Sequence, residues 1–234
     1  IVSADASFGG TVTTTGGLNI RGLGSVQTFT GSLSGLSGDI TVFGTSYGGS
    51  SAGGLRLSNS AMLTNASNTF TLRGGTLTLD NVAANTDTDA ITNRLPNVAV
   101  GFPGGGILEL LGNPTFGSAE STGTLTMRPG AAVVRVVHNG GAADTAITFS
   151  SFLRGSGGSG GTLTFIGEGG TLGSAAVGPK VLFTTPPGLT NNVIANGTGS
   201  AVVGIAVVKG PGGYDFAGYD NSLGVVPVTS TSVS

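Results

Sequence analysis

His138 is the single histidine of the chain, and cysteine is absent. Thiol catalysis, disulfides, Cys-ligated metals, His-rich metal sites and mechanisms that pass a proton between two histidines are therefore excluded. A Ser-His-Asp relay would need an acid to orient His138 and a serine held against it, and no pattern marks either. At the end of the apolar run Ala131–His138, this histidine reads as a surface or turn residue. The acids number only 11 in 234 residues and are mostly isolated. Asp87 and Asp89 could offer oxygen ligands to calcium, but the ordered series of further acids that a calcium loop uses is missing. The preferred reading is a solvated loop in which Asp89 lies near the start of one helical turn over Ala90–Leu95. Asp215 and Asp220, beside Tyr214 and Tyr219, come nearest to the paired carboxylates of a glycan-cleaving enzyme, and a structural role in the closing segment is the stronger reading. The run Gly155 to Gly160 matches G-x-G-x-x-G in form. A dinucleotide loop leaves a strand and opens a helix, whereas this one precedes a strand. Asn65-Ala66-Ser67 and Asn196-Gly197-Thr198 are sequons that read as polar turns. No catalytic, cofactor-binding or metal-binding residue is assigned, and no cofactor is expected.

Composition narrows the class of protein. Glycine supplies 45 residues and charged residues only 9%, against about 25% in ordinary domains. Such a chain could be taken for a disordered one, but 38% of it is hydrophobic, arranged in short alternating runs that can offset the ordering entropy. The net charge is −2 and the basic residues are scattered singly, so nucleic acid is not an expected partner. No apolar run approaches the ~20 residues of a membrane helix; the longest, Ala201 to Val208, is interrupted by Gly204. The lack of cysteine is compatible with an extracellular place. A start at Ile1 is read as that of a mature chain or an excerpt.

The elements that would position any site are strands. In Gly74-Gly75-Thr76-Leu77-Thr78-Leu79 the leucines point to one face and the threonines to the other. The phrase recurs at Gly105–Leu110, Gly123–Met127 and Gly160–Phe165, with spacings of 31, 17 and 38 residues. Repetition of one strand unit is a solenoid signature, and the uneven spacing predicts coils with loops of unequal length. Further strands are expected at Gly10–Thr15, Leu18–Arg21, Val26–Thr30, Asp39–Gly44, Leu55–Asn59, Phe70–Leu72, Ala131–His138, Ala146–Leu153, Lys180–Thr185, Ala201–Val208 and Tyr214–Gly218. Asn139-Gly140 suits either a hairpin or a coil corner. With ~20 residues per coil the chain would make about ten coils, stacked over roughly 50 Å. Residues 1–68 are expected as an N-terminal cap or narrow coils and 69–224 as the repeat region. Residues 225–234 are expected as a Ser/Thr-rich tail, either a linker or an assembly strand.

From Phe70 onward the sequence resembles the autotransporter-associated β-strand repeat proteins of bacterial surfaces. The resemblance rests on phrases in order: GGTLTLDN at Gly74–Asn81, NRLPN at Asn93–Asn97 and GGILELLGN at Gly105–Asn113. GTLTMRPGAA at Gly123–Ala132, TAITFSSFLR at Thr145–Arg154 and GTLTFIG at Gly161–Gly167 follow. VLFTTPPGLTNNVI at Val181–Ile194 and YDFAGYDN at Tyr214–Asn221 complete the set, which covers about two thirds of the chain. The resemblance implies an all-β, right-handed parallel β-helix that is exported and serves as a stalk, adhesin or fibre. The family's C-terminal membrane barrel has no counterpart in this sequence.

The expected role is that of an extracellular structural module of a surface fibre, sheath or stalk, without enzymatic activity. Its expected partner is itself, through strand edges left open at the two ends of a stack. An adhesin that binds surface glycans through its loops is the alternative, and a polysaccharide-cleaving β-helix is a distant third.

Overall fold

The computed structural model of the protein describes residues 4–21, 24–44, 53–63, 65, 67–82, 93–154, 161–194, 206–210 and 212–228. Every regular element among them is a β-strand. A ten-stranded sheet carries Ala6–Phe8, Val26–Phe29, Gly54–Leu57, Thr76–Asp80, Gly106–Leu111, Ala131–Val137, Thr162–Glu168 and Ala206–Gly210, all parallel and adjacent in chain order. It ends on Gly213–Asp220 and Gly224–Pro227, which run antiparallel. A six-stranded parallel sheet takes Leu18–Arg21, Ile40–Phe43, Thr69–Arg73, Ala99–Phe102, Leu125–Met127 and Phe152–Arg154. A third parallel sheet takes Ser118–Thr122, Thr145–Phe149 and Pro179–Phe183. The chain alternates between the first two sheets and adds the third from Ser118 onward. This order is compatible with a β-solenoid.

Alternation builds the core. Leu77 and Leu79 are fully buried while Thr76 and Thr78 face outward. Leu55, Leu77, Leu108, Val134, Phe165 and Val208 lie in register down the ten-stranded sheet and form one apolar file. Ile40, Phe70, Val100 and Leu125 form a second file on the six-stranded sheet. Ile147 over Val181 and Phe149 over Phe183 make a third, the two phenylalanine rings stacked 5.5 Å apart. Each fully buried side chain of this size contributes about 1.5–3 kcal/mol, so the files sum to a core that runs the length of the molecule.

The repeat differs from the sequence expectation in an instructive way. The strands Thr76–Asp80, Gly106–Leu111 and Thr162–Glu168, drawn from three of the phrases, lie in the ten-stranded sheet, whereas Gly123–Met127 leads into the six-stranded one. Meanwhile Ala131–Val137 occupies a ten-stranded position without carrying the phrase. Counting one phrase therefore mixed two sheets and skipped a layer. In register, the step is 22 residues from Leu55 to Leu77 and 43 from Phe165 to Val208. Eight parallel strands result in the long sheet, spanning roughly 34 Å at the usual strand spacing of about 4.8 Å, in place of the expected ten coils.

Other expectations change too. Ala146–Leu153 is two strands in two sheets, because the chain turns a corner at Ser150-Ser151. Asn139-Gly140 is a corner between the ten-stranded and third sheets and not a hairpin. A helical turn reaching Leu95 is ruled out at Asn93, whose φ of 101° is foreign to a right-handed helix. The strand ladders run on across residue 68 without a break. Such stacking requires close backbone approach at the corners: Gly105 has φ 90°, and a Cβ there would collide with the Ala131 carbonyl of the next layer.

The two ends of the long sheet differ. At the N-terminal end Ala6–Phe8 is the edge strand, and Phe8 stacks on Phe29 at 5.1 Å while remaining 45% exposed. At the C-terminal end Gly213–Asp220 pairs with Ala206–Gly210 through its first half and with Gly224–Pro227 through its second. Val225 and Ala217 are fully buried there. The Tyr219 hydroxyl donates to the Phe183 carbonyl and accepts from the Phe183 amide, both at 2.9 Å. It thereby satisfies main-chain groups on the last strand of the third sheet. Residues 225–228, expected in a tail, belong to this cap, and 229–234 lie outside the described residues.

Candidate functional site

The densest polar constellation lies where the ten-stranded sheet turns toward the third face. Four asparagines stand just past successive strand ends: Asn59, Asn81, Asn113 and Asn139. Their separations of 22, 32 and 26 residues follow the register steps from Leu57 to Leu79 to Leu110 to Val136, which are 22, 31 and 26. Asn139 Nδ2 donates to the Gly112 carbonyl at 2.8 Å, one layer down. Asn113 accepts the Thr115 and Phe116 amides on Oδ1, at 2.8 and 3.1 Å, and its Nδ2 reaches the Asn81 carbonyl at 3.4 Å. Asn113 closes its own corner, and Asn113 and Asn139 each tie a corner to the layer before it.

Arg94 enters this column fully buried, from the segment that takes the place of a third-face strand in its layer. Its Nε donates to Asn81 Oδ1 at 2.7 Å. One terminal nitrogen donates to the Asn59 and Ala61 carbonyls, both at 2.9 Å, and the other to the Asp80 carbonyl at 2.8 Å. The carboxylate beside it is Glu120, 1% exposed. Glu120 accepts the Arg94 backbone N–H at 2.6 Å and Asn81 Nδ2 at 3.1 Å. Asp80, also buried, accepts both Nε and Nη2 of Arg56 on one oxygen and the Val82 amide on the other. Desolvation pushes the Glu120 carboxyl up, and the hydrogen bonds from Asn81 and Arg94 only partly oppose it. Desolvation likewise lowers Arg94, against the pull of Glu120 and Asp80.

This arrangement does structural chemistry. The guanidinium directs its donors at main-chain carbonyls of two layers, and both Glu120 oxygens are engaged inside the protein. Two surface grooves, one over Ile166–Gly170 and one over Thr69–Arg73, include no member of the network. Among the described residues, no three His, Asp or Glu side chains gather in a way that could hold a metal ion.

His138 is a correction to the sequence reading. It is buried, its Nδ1 lies 3.2 Å from Thr145 Oγ1, and its amide donates to the Glu168 carbonyl at 2.8 Å. The strand continues straight into the corner, so the ring turns inward where a free strand end would turn out. Asp215 and Asp220 do not converge: Asp215 Oδ1 accepts the Phe216 amide, and Asp220 Oδ1 accepts the Ser222 and Leu223 amides of the cap turn. Asn65 Oδ1 accepts the Ser67 amide at 3.0 Å, a polar turn as expected. Asp87, Asp89, Gly155–Gly160 and Asn196–Thr198 lie outside the described residues.

A second charge array runs on the outer face of the ten-stranded sheet. Arg135 Nη1 donates to Glu109 at 2.7 Å, and Nη2 and Nε donate to Glu168 at 2.6 and 3.0 Å. Thr78 Oγ1 donates to Glu109 at 3.2 Å. The Arg135 fork holds the Glu168 carboxyl below its ordinary range. On the third sheet partial burial pushes Asp144 up, but Lys180 Nζ at 2.7 Å and the Gly178 amide outweigh it and leave the carboxyl lowered.

In the sequence Arg94 stands among the charges of the segment 80–96, and nothing there joins it to Asn81, Asn113 or Glu120. The signal was present in the asparagine that ends RLSN, TLDN, LLGN and VVHN, recurring at the strand period. Comparison with family models, with curated proteins and with solved structures finds no match to this chain.

Proposed function

We propose that this chain is a mechanical module of a bacterial surface fibre, sheath or stalk. In this reading it is wound as a right-handed parallel β-helix, in the manner of the autotransporter-associated repeat proteins its phrases resemble. It acts outside the cell and has no substrate. The observation that carries the reading is the Arg94 network: a fully buried guanidinium is directed at backbone carbonyls of adjacent layers. A device of that kind resists sliding of one layer against the next. The apolar files behind the three sheets support the same role.

Self-association proceeds from the N-terminal edge, because the cap covers the other end. Among the described residues no strand pairs with the outer side of Ala6–Phe8, and Phe8 carries an exposed ring there. Electron microscopy of the purified protein at high concentration tests this. Paired rods or filaments are expected, and their loss in Phe8→Glu locates the contact. Monodisperse compact monomers at every concentration would overturn the assembly reading, and a density map with left-handed winding would overturn the β-helix assignment.

An adhesin is the second reading. It is favoured by Tyr214 and Phe216, two residues apart on one face of the cap strand and 68% and 49% exposed. A glycan array decides it: a hit that Phe216→Ser abolishes supports it, and no hit removes it.

A further inference from the structure

The six-stranded sheet turns a very different face to solvent from the ten-stranded one. Its outward positions read Arg21, Phe43, Arg73, Pro103 and Arg128 in one row across five strands, following the registers that pair Arg21 with Phe43 and Phe102 with Met127. Arg21, Arg73 and Arg128 are exposed, and Arg21 lies over the Phe43 ring at 4.4 Å. None of the three joins an ion pair among the described residues. Each is two strands from the next, about 10 Å at the ordinary strand spacing. The row beside it is Thr71, Gly101 and Thr126. Gly101 has no side chain to fill the space above it, and a Cβ there would meet nothing nearer than 3.9 Å. A groove of about 300 Å³ lies here, its lining including Arg73, Arg128, Thr69, Thr71 and Thr126. Asp39, whose carboxylate accepts the amide of the groove residue Thr69 at 2.8 Å, stands at the other end of that strand from Arg73.

We infer that this groove binds a linear acidic polysaccharide along the stacking direction, its carboxylates or sulfates on the arginines and its hydroxyls on the threonines. The chain as a whole carries −2, so three guanidinium groups left uncompensated on one flat face form a local positive stripe in a near-neutral molecule. Guanidinium forks recognise planar anions by paired N–H bonds, and a regular repeat of charge suits a polymer better than a small ion. Threonine hydroxyls offer both donor and acceptor to sugar hydroxyls. Single-stranded nucleic acid fits less well, since it requires successive aromatic platforms and this face has Phe43 alone, already covered by Arg21. The inference holds whether or not the protein forms fibres.

The test uses the full chain and four immobilised probes: polygalacturonate, heparin, neutral dextran and single-stranded DNA. Retention on at least one acidic glycan at low salt, released as salt rises, is expected, with none on dextran. Arg73→Gln with Arg128→Gln should weaken that retention at least tenfold while leaving the melting temperature and circular dichroism unchanged. Arg135→Gln, on the other sheet, should leave retention intact. Gly101→Val, which fills the groove without altering charge, should weaken it as well. Failure to retain either acidic glycan, equal retention by the double variant, or tighter binding of the DNA would each overturn the inference.

Discussion

Arg94 and Arg135 are both arginines that bond to neighbouring strands and lie beside acids, yet they sit in opposite circumstances. Arg94 is fully buried and bonds mainly to carbonyls that have no access to water. Arg135 has a side chain 37% exposed and bonds only to the carboxylates of Glu109 and Glu168, the latter 44% exposed. In water, either acid could find other partners if Arg135 were lost. Inside the corner, the carbonyls of Ala61 and Asp80 could not. Solvent access decides that one arginine holds layers together and the other decorates a surface.

That contrast can be broken most directly at Arg94. Arg94→Met should cost about 3–5 kcal/mol, because it leaves the buried carbonyls of Ala61 and Asp80 and the side-chain oxygen of Asn81 without their donor and removes the positive charge beside Glu120, and urea unfolding would read the loss as a lowered midpoint. A smaller effect is expected from Tyr219→Phe, which removes a hydroxyl that both donates to and accepts from Phe183. About 1–3 kcal/mol should be lost, with faster amide exchange confined to the cap and the last strand of the third sheet. Arg135→Ala should cost no more than about 1 kcal/mol and nothing measurable at high salt. If Arg135→Ala cost as much as Arg94→Met, solvent access would not be the deciding variable.

A pH series sharpens the same point, since the two environments shift their acids in opposite directions. Glu120 is raised from an ordinary value of 4.5 by desolvation. Its folded state therefore holds the proton more tightly than the unfolded chain. Its contribution is greatest at low pH and declines as pH rises from about 4.5 through the folded value, then stays level. Glu168 is lowered by Arg135, so its contribution is present above the unfolded value and is lost as pH falls through the folded one. Glu120→Gln should remove the declining limb above pH ~4.5 and leave the acid limb in place. An unchanged profile would mean that Glu120 is not the buried acid responsible.

Much of the strand content was legible because alternation is a local property. Leu77 and Leu79 against Thr76 and Thr78 declare one buried face without reference to any other segment. Strands with small or polar residues, such as Ser118–Thr122, carry no such mark. Glu120 in that strand is buried, which a rule that sends acids to solvent would misplace. The Arg94 network was illegible for a related reason: its partners lie 13 to 35 residues away, and only the winding of the chain brings them within a hydrogen bond. The asparagine at each corner is the one local trace, and it lies just past the strands, outside the leucine-threonine alternation.

The amino-acid sequence by itself determined that this protein would be strands and turns, with aliphatic residues inward, threonine outward and no thiol or paired-histidine chemistry. Those properties follow from side-chain size, polarity and a period of two. The tertiary structure alone decided which strands share a sheet, that His138 and Glu120 are buried, that the cap closes one end, and that Arg21, Arg73 and Arg128 stand in one row. Such outcomes depend on register between segments tens of residues apart. Register is set by how the whole stack packs, which no single segment encodes.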